Sequence, residues 1–265
     1  MTKNIIISLN IIFFFIIYLH LNYIYSNNIT KELVLSSYIK GIHLADAKGA
    51  ITVYNDKFNI TINARTVGLF SIISNWEQSI SSKGILSKLT LVSENYISND
   101  SRGKKKGHMY INFQKKYPTI ISAQPDPRKD DRREKIKKEK LINTLDPIFG
   151  ILNIGVKGNC RSSIMIFDGK RKYMINSKNL GLETIKENYF YTKPFKAVKC
   201  SFEIEKIAGY TEKELKKYPK GGNIWFRKEA QTSLFFPSKI EITSTWGKFL
   251  CLIKKKELNN ESNNM

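Results

Sequence analysis

Strict alternation of apolar and polar residues limits this chain more than any other feature. Phe58, Ile60, Ile62 and Ala64 alternate with Asn59, Thr61, Asn63 and Arg65. Val198, Cys200, Phe202 and Ile204 alternate with Lys199, Ser201, Glu203 and Glu205. Ile240, Ile242 and Trp246 follow the same rule against Lys239, Glu241, Thr243 and Thr245. Neighbouring side chains on a strand point to opposite faces, so a period of two gives one face to a core and the other to water. Antiparallel sheets are built this way, whereas buried parallel strands read as unbroken apolar runs. The expected class is mainly β: a curved antiparallel sheet or open barrel with a short helix packed against it.

Turn residues divide the strands. Asn55-Asp56 sits between Ile51/Val53 and the Phe58 run, which predicts a hairpin over residues 50–67 ended by Gly68. Asp168-Gly169 between Ile164–Phe167 and Lys172–Ile175 is a strong hairpin signal. Further strands are expected at Lys88–Tyr96 and Met109–Phe113, separated by a polar loop holding Arg102 to Gly107, and a short edge strand at Thr119–Ser122. Leu69 to Asn75 reads as one helical turn. Lys129 to Lys140, after the Pro125-Asp126-Pro127 breaker, reads as charged helix or mobile loop. Asp146 as N-cap and Pro147 at the first helical position open the apolar run Ile148, Phe149, Ile151, Leu152, and Gly155 stops it.

The N-terminus has its own chemistry. Lys3 precedes an uncharged stretch from Ile5 to Tyr25, and Ser26-Asn27-Asn28 follows. Residues 1–26 therefore read as a secretory signal peptide or as an uncleaved anchor helix. Either reading exports residues 27–253 as a single β-rich periplasmic domain, with 254–265 as a disordered polar tail.

Charge and cysteines bound the function. The 265 residues carry 44 Lys+Arg against 23 Asp+Glu, a formal net charge of +21. Of these cations 36 are Lys and 8 Arg, whereas readers of nucleic acid more often cluster Arg with aromatics. No specific nucleic acid is expected. Three Cys and three His exclude a zinc-finger array and a disulfide-dense scaffold. Neither His43 nor His108 has a second ligand at metal spacing, and no phosphate-binding or nucleophile-elbow motif occurs. No catalytic residue, cofactor or metal is therefore assigned.

Three candidate sites remain. Arg102, Lys104, Lys105, Lys106, Arg132 and Arg133 form an anion patch or a solvated surface. Phe58, Ile60, Ile62 and Phe202 face either a ligand or a filled core. Cys160 and Cys200 form a disulfide if the strand after Cys160 lies beside that of Cys200; otherwise they are buried thiols. Cys251 alternates with Phe249 and Ile253 as a small buried hydrophobe.

Several landmarks occur in order: Ala64-Arg65-Thr66-Val67-Gly68-Leu69, Leu145-Asp146-Pro147, Phe167-Asp168-Gly169-Lys170-Arg171-Lys172-Tyr173, Cys200, Ile207-Ala208-Gly209-Tyr210, and Pro237 through Trp246-Gly247. Together they resemble the bacterial exported proteins grouped as domain of unknown function 3108 (DUF3108), in its alphaproteobacterial form, over roughly residues 35–253. The Lys-rich stretch around Arg102 to Gly107 and the polar tail depart from it. The resemblance implies a periplasmic, β-rich domain and supplies no activity. The expected function is non-enzymatic binding of a hydrophobic or amphiphilic membrane or envelope component, or of a protein partner. Electrostatic binding of anionic lipid or polymer through residues 102–140 is the alternative, and hydrolysis of an envelope polymer a further one.

Overall fold

The computed structural model describes residues 29–256 apart from Leu89, Ser162, Tyr189, Tyr218, Gln231, Thr232, Thr245 and Trp246. The expected export segment, residues 1–26, lies outside the described residues. Seven strands come first: β1 (Ile29–Ile39), β2 (Ile42–Tyr54), β3 (Lys57–Thr66), β4 (Trp76–Ser87), β5 (Thr90–Arg102), β6 (Lys105–Asn112) and β7 (Thr119–Gln124). Helix α1 (Leu69–Ile73) joins β3 to β4. After α2 (Pro147–Gly155) come β8 (Ser163–Phe167), β9 (Lys172–Ile185), β10 (Phe195–Ala208), α3 (Glu212–Lys217), β11 (Gly221–Lys228), β12 (Phe235–Ser244) and β13 (Gly247–Lys256).

All strands belong to one 13-stranded sheet, ordered β7-β6-β5-β4-β3-β2-β1-β13-β12-β11-β10-β9-β8. Sequence neighbours other than β7 and β8 pair antiparallel, and β1 pairs with β13 so that the first and last strands meet mid-sheet. The sheet curves without closing: β7 and β8 are its two edges. Side chains nevertheless meet across the gap, where Phe167 of β8 packs with Tyr96, Met109 and Ile111 of β5 and β6. Leu145 covers the β8 edge, its N–H donating to Met165 O and its carbonyl accepting from Phe167 N–H. An unpaired strand edge is a template for aggregation, so this cover has a purpose.

Helix α2 fills the hollow. Phe149, Leu152 and Val156 pack with Leu33, Ile51, Phe58, Ile60 and Leu91 from the first half of the sheet. Ile151 and Ile154 pack with Ile164, Ile166, Cys200 and Phe226 from the second half. A helix apolar on all sides is stable only when enclosed, which is how this one lies. Its close seating needs glycine: a Cβ at Gly155 would stand 2.3 Å from the Phe226 ring. Asp146 caps the helix, accepting from Ile148 N–H at 2.8 Å and Phe149 N–H at 3.1 Å. The Ser93 hydroxyl donates to the same carboxylate at 2.6 Å. Burial pushes this carboxyl up, against the Ser93 and helix N–H groups that favour its ionised form. Asn153 then grips Leu91 through both its backbone N–H and C=O, at 2.9 and 2.7 Å.

Three expectations are corrected. The loop expected at Arg102–Gly107 is mostly ladder, with only Gly103-Lys104 turning between β5 and β6. Of the two readings of Lys129–Lys140, the charged helix is the one corrected: these residues form no α-helix but irregular chain between two single 3-10 turns, Pro127–Lys129 and Lys138–Leu141. The strand β13 runs to Lys256, past the expected start of the tail, because its last residues pair with Glu32 to Val34 of β1.

Candidate functional site

The inward face of the sheet is occupied. Phe58 and Ile60 are buried against α2, Ile62 packs at the margin of the same cluster, and Phe202 lies in the cluster around Ile154. These four residues belong to the core packed around α2. The outward face behaves differently in its two halves. Over β10–β13 the chain between β9 and β10 folds back, packing Tyr191 and Phe190 with Trp225 and Leu252. The Tyr191 hydroxyl donates to the Ser238 carbonyl. Over β1–β7 no such cover is laid by the described residues, and a groove of about 940 Å³ crosses the strands.

Register builds this groove. One row runs Ser36, Asp46, Arg65, Glu77, Ser101, Lys106 across β1 to β6. The next runs Val34, Lys48, Asn63, Ser79, Asn99, His108 and reaches Gln124 on β7. All of these line the groove. Both rows alternate with core residues such as Ala47, so they stand on the face opposite α2. Neighbours along a row sit about 5 Å apart, close enough for one ligand to bridge several. Asp46, Arg65 and Glu77 alternate in sign at the centre.

Hydrogen bonds orient part of the lining. Asp46 accepts from the Ser36 hydroxyl at 2.8 Å and from His43 Nε2 at 2.7 Å. His108 Nδ1 lies 2.7 Å from Asn99 Oδ1, an oxygen that only accepts, so Nδ1 carries a proton. Its Nε2 lies 2.7 Å from the Ser122 hydroxyl, which can serve it in either role. Among the described residues neither Arg65 nor Glu77 stands within ion-pair distance of an opposite charge. Among the described residues, also, no group of three or more His, Cys, Asp or Glu is placed to hold a metal ion.

The other candidates are scattered. Arg102, Lys104, Lys105 and Lys106 sit on the β5–β6 hairpin and are exposed. Arg133 does not join them. It is largely buried, donating to Glu214 at 2.6 and 2.8 Å and to Gly209 O at 2.8 Å. Arg132 is exposed and pairs with Asp130 at 2.8 Å. The six residues are therefore not one patch, because an arginine facing two fixed acceptors is spent on structure.

That clamp has a pH signature. Burial works against ionisation of Glu214, but the Arg133 hydrogen bonds, the Thr211 N–H and nearby Arg171 outweigh it and hold the carboxyl down to about 2, from 4.5. A depressed carboxylate contributes stability above its unfolded value, and that stability is lost as pH falls through the folded one. Thermal unfolding of wild type should thus lose more between pH 4.5 and about 2 than unfolding of Glu214→Gln. Parallel curves for the two proteins over that window would overturn the assignment.

Cys160 and Cys200 are bridged, with Cα atoms 5.7 Å apart. The expected route is corrected: β9 lies between β8 and β10, so the two cysteines do not come from adjacent strands. Cys160 instead follows α2, inside the hollow, and reaches the inward face of β10. The bridge ties helix layer to sheet. Cys251 is free and half-buried.

The fold and groove define a class: a barrel-like open antiparallel sheet, wrapped on a helix, with a polar cross-strand groove on half of its outer face. Residues 34–252 match the family described as Protein of unknown function (DUF3108), and the chain belongs to that family. A similar solved structure is the β-barrel-like protein of domain of unknown function DUF1849 from Brucella abortus. It shares 8% sequence identity at a TM-score of 0.46, covering 87% of this chain and 100% of that one. No curated protein matches the chain. Among the described residues no helix is long and apolar enough to cross a membrane, which says nothing of strands.

Proposed function

We propose that the protein is an exported, non-enzymatic binding protein of the bacterial cell envelope. In this reading its outer groove holds the polar part of an amphiphilic envelope component. One observation carries it: two in-register polar rows cross six and seven strands and line about 940 Å³ of open space. The filled interior argues against an acyl chain beneath the sheet, and the Cys160–Cys200 bridge suits an oxidising compartment such as the periplasm. Serine, asparagine and glutamine groups with alternating charges match a hydroxyl-rich or zwitterionic ligand. Residues 1–26 supply export.

Native mass spectrometry of protein isolated from its host envelope tests this. Wild type should carry a bound component, and Arg65→Ala with Glu77→Ala should cut its occupancy about tenfold or more, since hydrogen bonds to charged groups are worth roughly 1.5–3 kcal/mol. No adduct on wild type, or equal occupancy in the double variant, would sink the groove as the site. Release of shortened glycan from an added envelope polymer would instead make the protein a hydrolase, with Asp46 and Glu77 as the carboxylates to test.

A further inference from the structure

A second surface stands at the end of the sheet and does not depend on what the groove binds. Helix α1 is one turn of sequence Leu-Phe-Ser-Ile-Ile with no buried residue. Leu69, Ile72 and Ile73 are 72%, 82% and 80% exposed. Ile42, on the strand that α1 packs against, is 54% exposed. Single exposed apolar residues are ordinary, but four large aliphatics gathered at one end form a patch that water disfavours.

Cations flank this patch. The β5–β6 turn is held to the chain just after α1, Gly103 N–H donating to Asn75 O at 3.1 Å, and Trp76 pairs with Arg102. Arg102, Lys104, Lys105 and Lys106 therefore stand beside the helix. All four are exposed, and none is in an ion pair among the described residues. The helix itself carries no acid.

From this juxtaposition we infer that α1 and the β5–β6 turn form a docking surface for an anionic lipid bilayer. Aliphatic tips insert at the interface while lysine and arginine heads meet the phosphates, the two contributions that bind a monotopic protein. The most exposed side chains of the patch are the aliphatic Leu69, Ile72 and Ile73, with Phe70 only half-exposed beside them, whereas a protein contact more often centres on an aromatic anchor. Bilayer docking at this end also sets the groove beside the membrane, since Glu77 and Lys106 of its first row adjoin the same turns.

A polarity-sensitive fluorophore on the full chain reads this directly. It is attached at Ile72→Cys in a Cys251→Ser background, and for reference at Asn59→Cys, which is near the opposite end of β3. Vesicles of phosphatidylglycerol with phosphatidylcholine are compared with phosphatidylcholine alone. The label at 72 should shift to an apolar environment on the anionic vesicles only, and the label at 59 should not. Lys104→Glu with Lys105→Glu should weaken the response at least tenfold, because each cation near an anionic surface contributes on the order of 1 kcal/mol. Hydrogen exchange of the unmodified chain should show amides 69–75 slowed by anionic vesicles, which keeps the test open if the labelled variant fails to fold. A label that stays aqueous while the protein is vesicle-bound overturns the proposal. So does an equal shift on neutral vesicles, or a response unchanged in the lysine variant.

Discussion

Cys160→Ser should lower the unfolding free energy by roughly 3–4 kcal/mol under non-reducing conditions. The bridge closes a loop spanning a sequence separation of 40, and closure entropy of that size in the unfolded chain gives this magnitude. Location adds a second reason to expect a large effect. Cys200 is fully buried among Ile224, Phe226 and Ile154, while Cys160 lies at the exit of α2. Cutting the link therefore frees the helix from the sheet on one side. Cys200→Ser should cost more, because it also leaves a hydroxyl in an apolar cluster. Urea unfolding of the two variants against wild type measures this, with alkylation of the remaining thiol as the check on bond loss. An unchanged midpoint in both variants would show that the bridge does not hold the helix layer.

Alternation made some strands visible and left others unseen, for physical reasons tied to single residues. The hairpin of β2 and β3 was legible because Phe58, Ile60 and Ile62 mark one face and Asn55-Asp56 marks the turn. Asp146-Pro147 disclosed α2 through capping chemistry, together with the apolar run that follows and Gly155 at its end. Strand β4 was not legible: of its inward positions Ile80, Ser82 and Gly84 only the first is a large apolar residue, and Gly84 is bare where the Phe149 ring lies. Strand β11 opens on Gly221-Gly222, which reads as a loop. Those glycines are needed because a Cβ would meet Phe202 O at 2.2 Å and Glu241 O at 1.8 Å.

The groove was legible only in pieces. Asn63, Arg65, Ser79 and His108 each look like solvent-facing members of separate strands. Their alignment depends on register across seven strands, and register is a long-range property that a two-residue period does not contain. The disulfide was readable as a pair of cysteines in a chain expected to be exported, but not as a link between layers. For that, the place of α2 inside the curve had to be known.

Phe149→Ala should cost about 3–5 kcal/mol, the range for removing a buried aromatic ring from a core that cannot collapse. Phe149 is fully buried and meets Leu91, Phe58 and Leu152. Its ring lies on Gly84, where a Cβ would stand 2.2 Å from Phe149 Cε2. Gly84→Ala should therefore be destabilising too, but for two reasons at once, since the same Cβ would stand 2.0 Å from the Val92 carbonyl. Removing the ring relieves only one of them. Gly84→Ala should accordingly remain costly in the Phe149→Ala background, although less so than alone, as expected when two residues share one site. Denaturation midpoints of the two single variants and the double variant decide it. Full rescue would mean that the ring alone sets glycine at this position and that the β5 backbone yields. Loss confined to stability, with the component on Arg65 and Glu77 still bound to folded protein, would place the helix-filled hollow and the outer groove in separate roles: one face of the sheet holds the fold, and the other is free to bind.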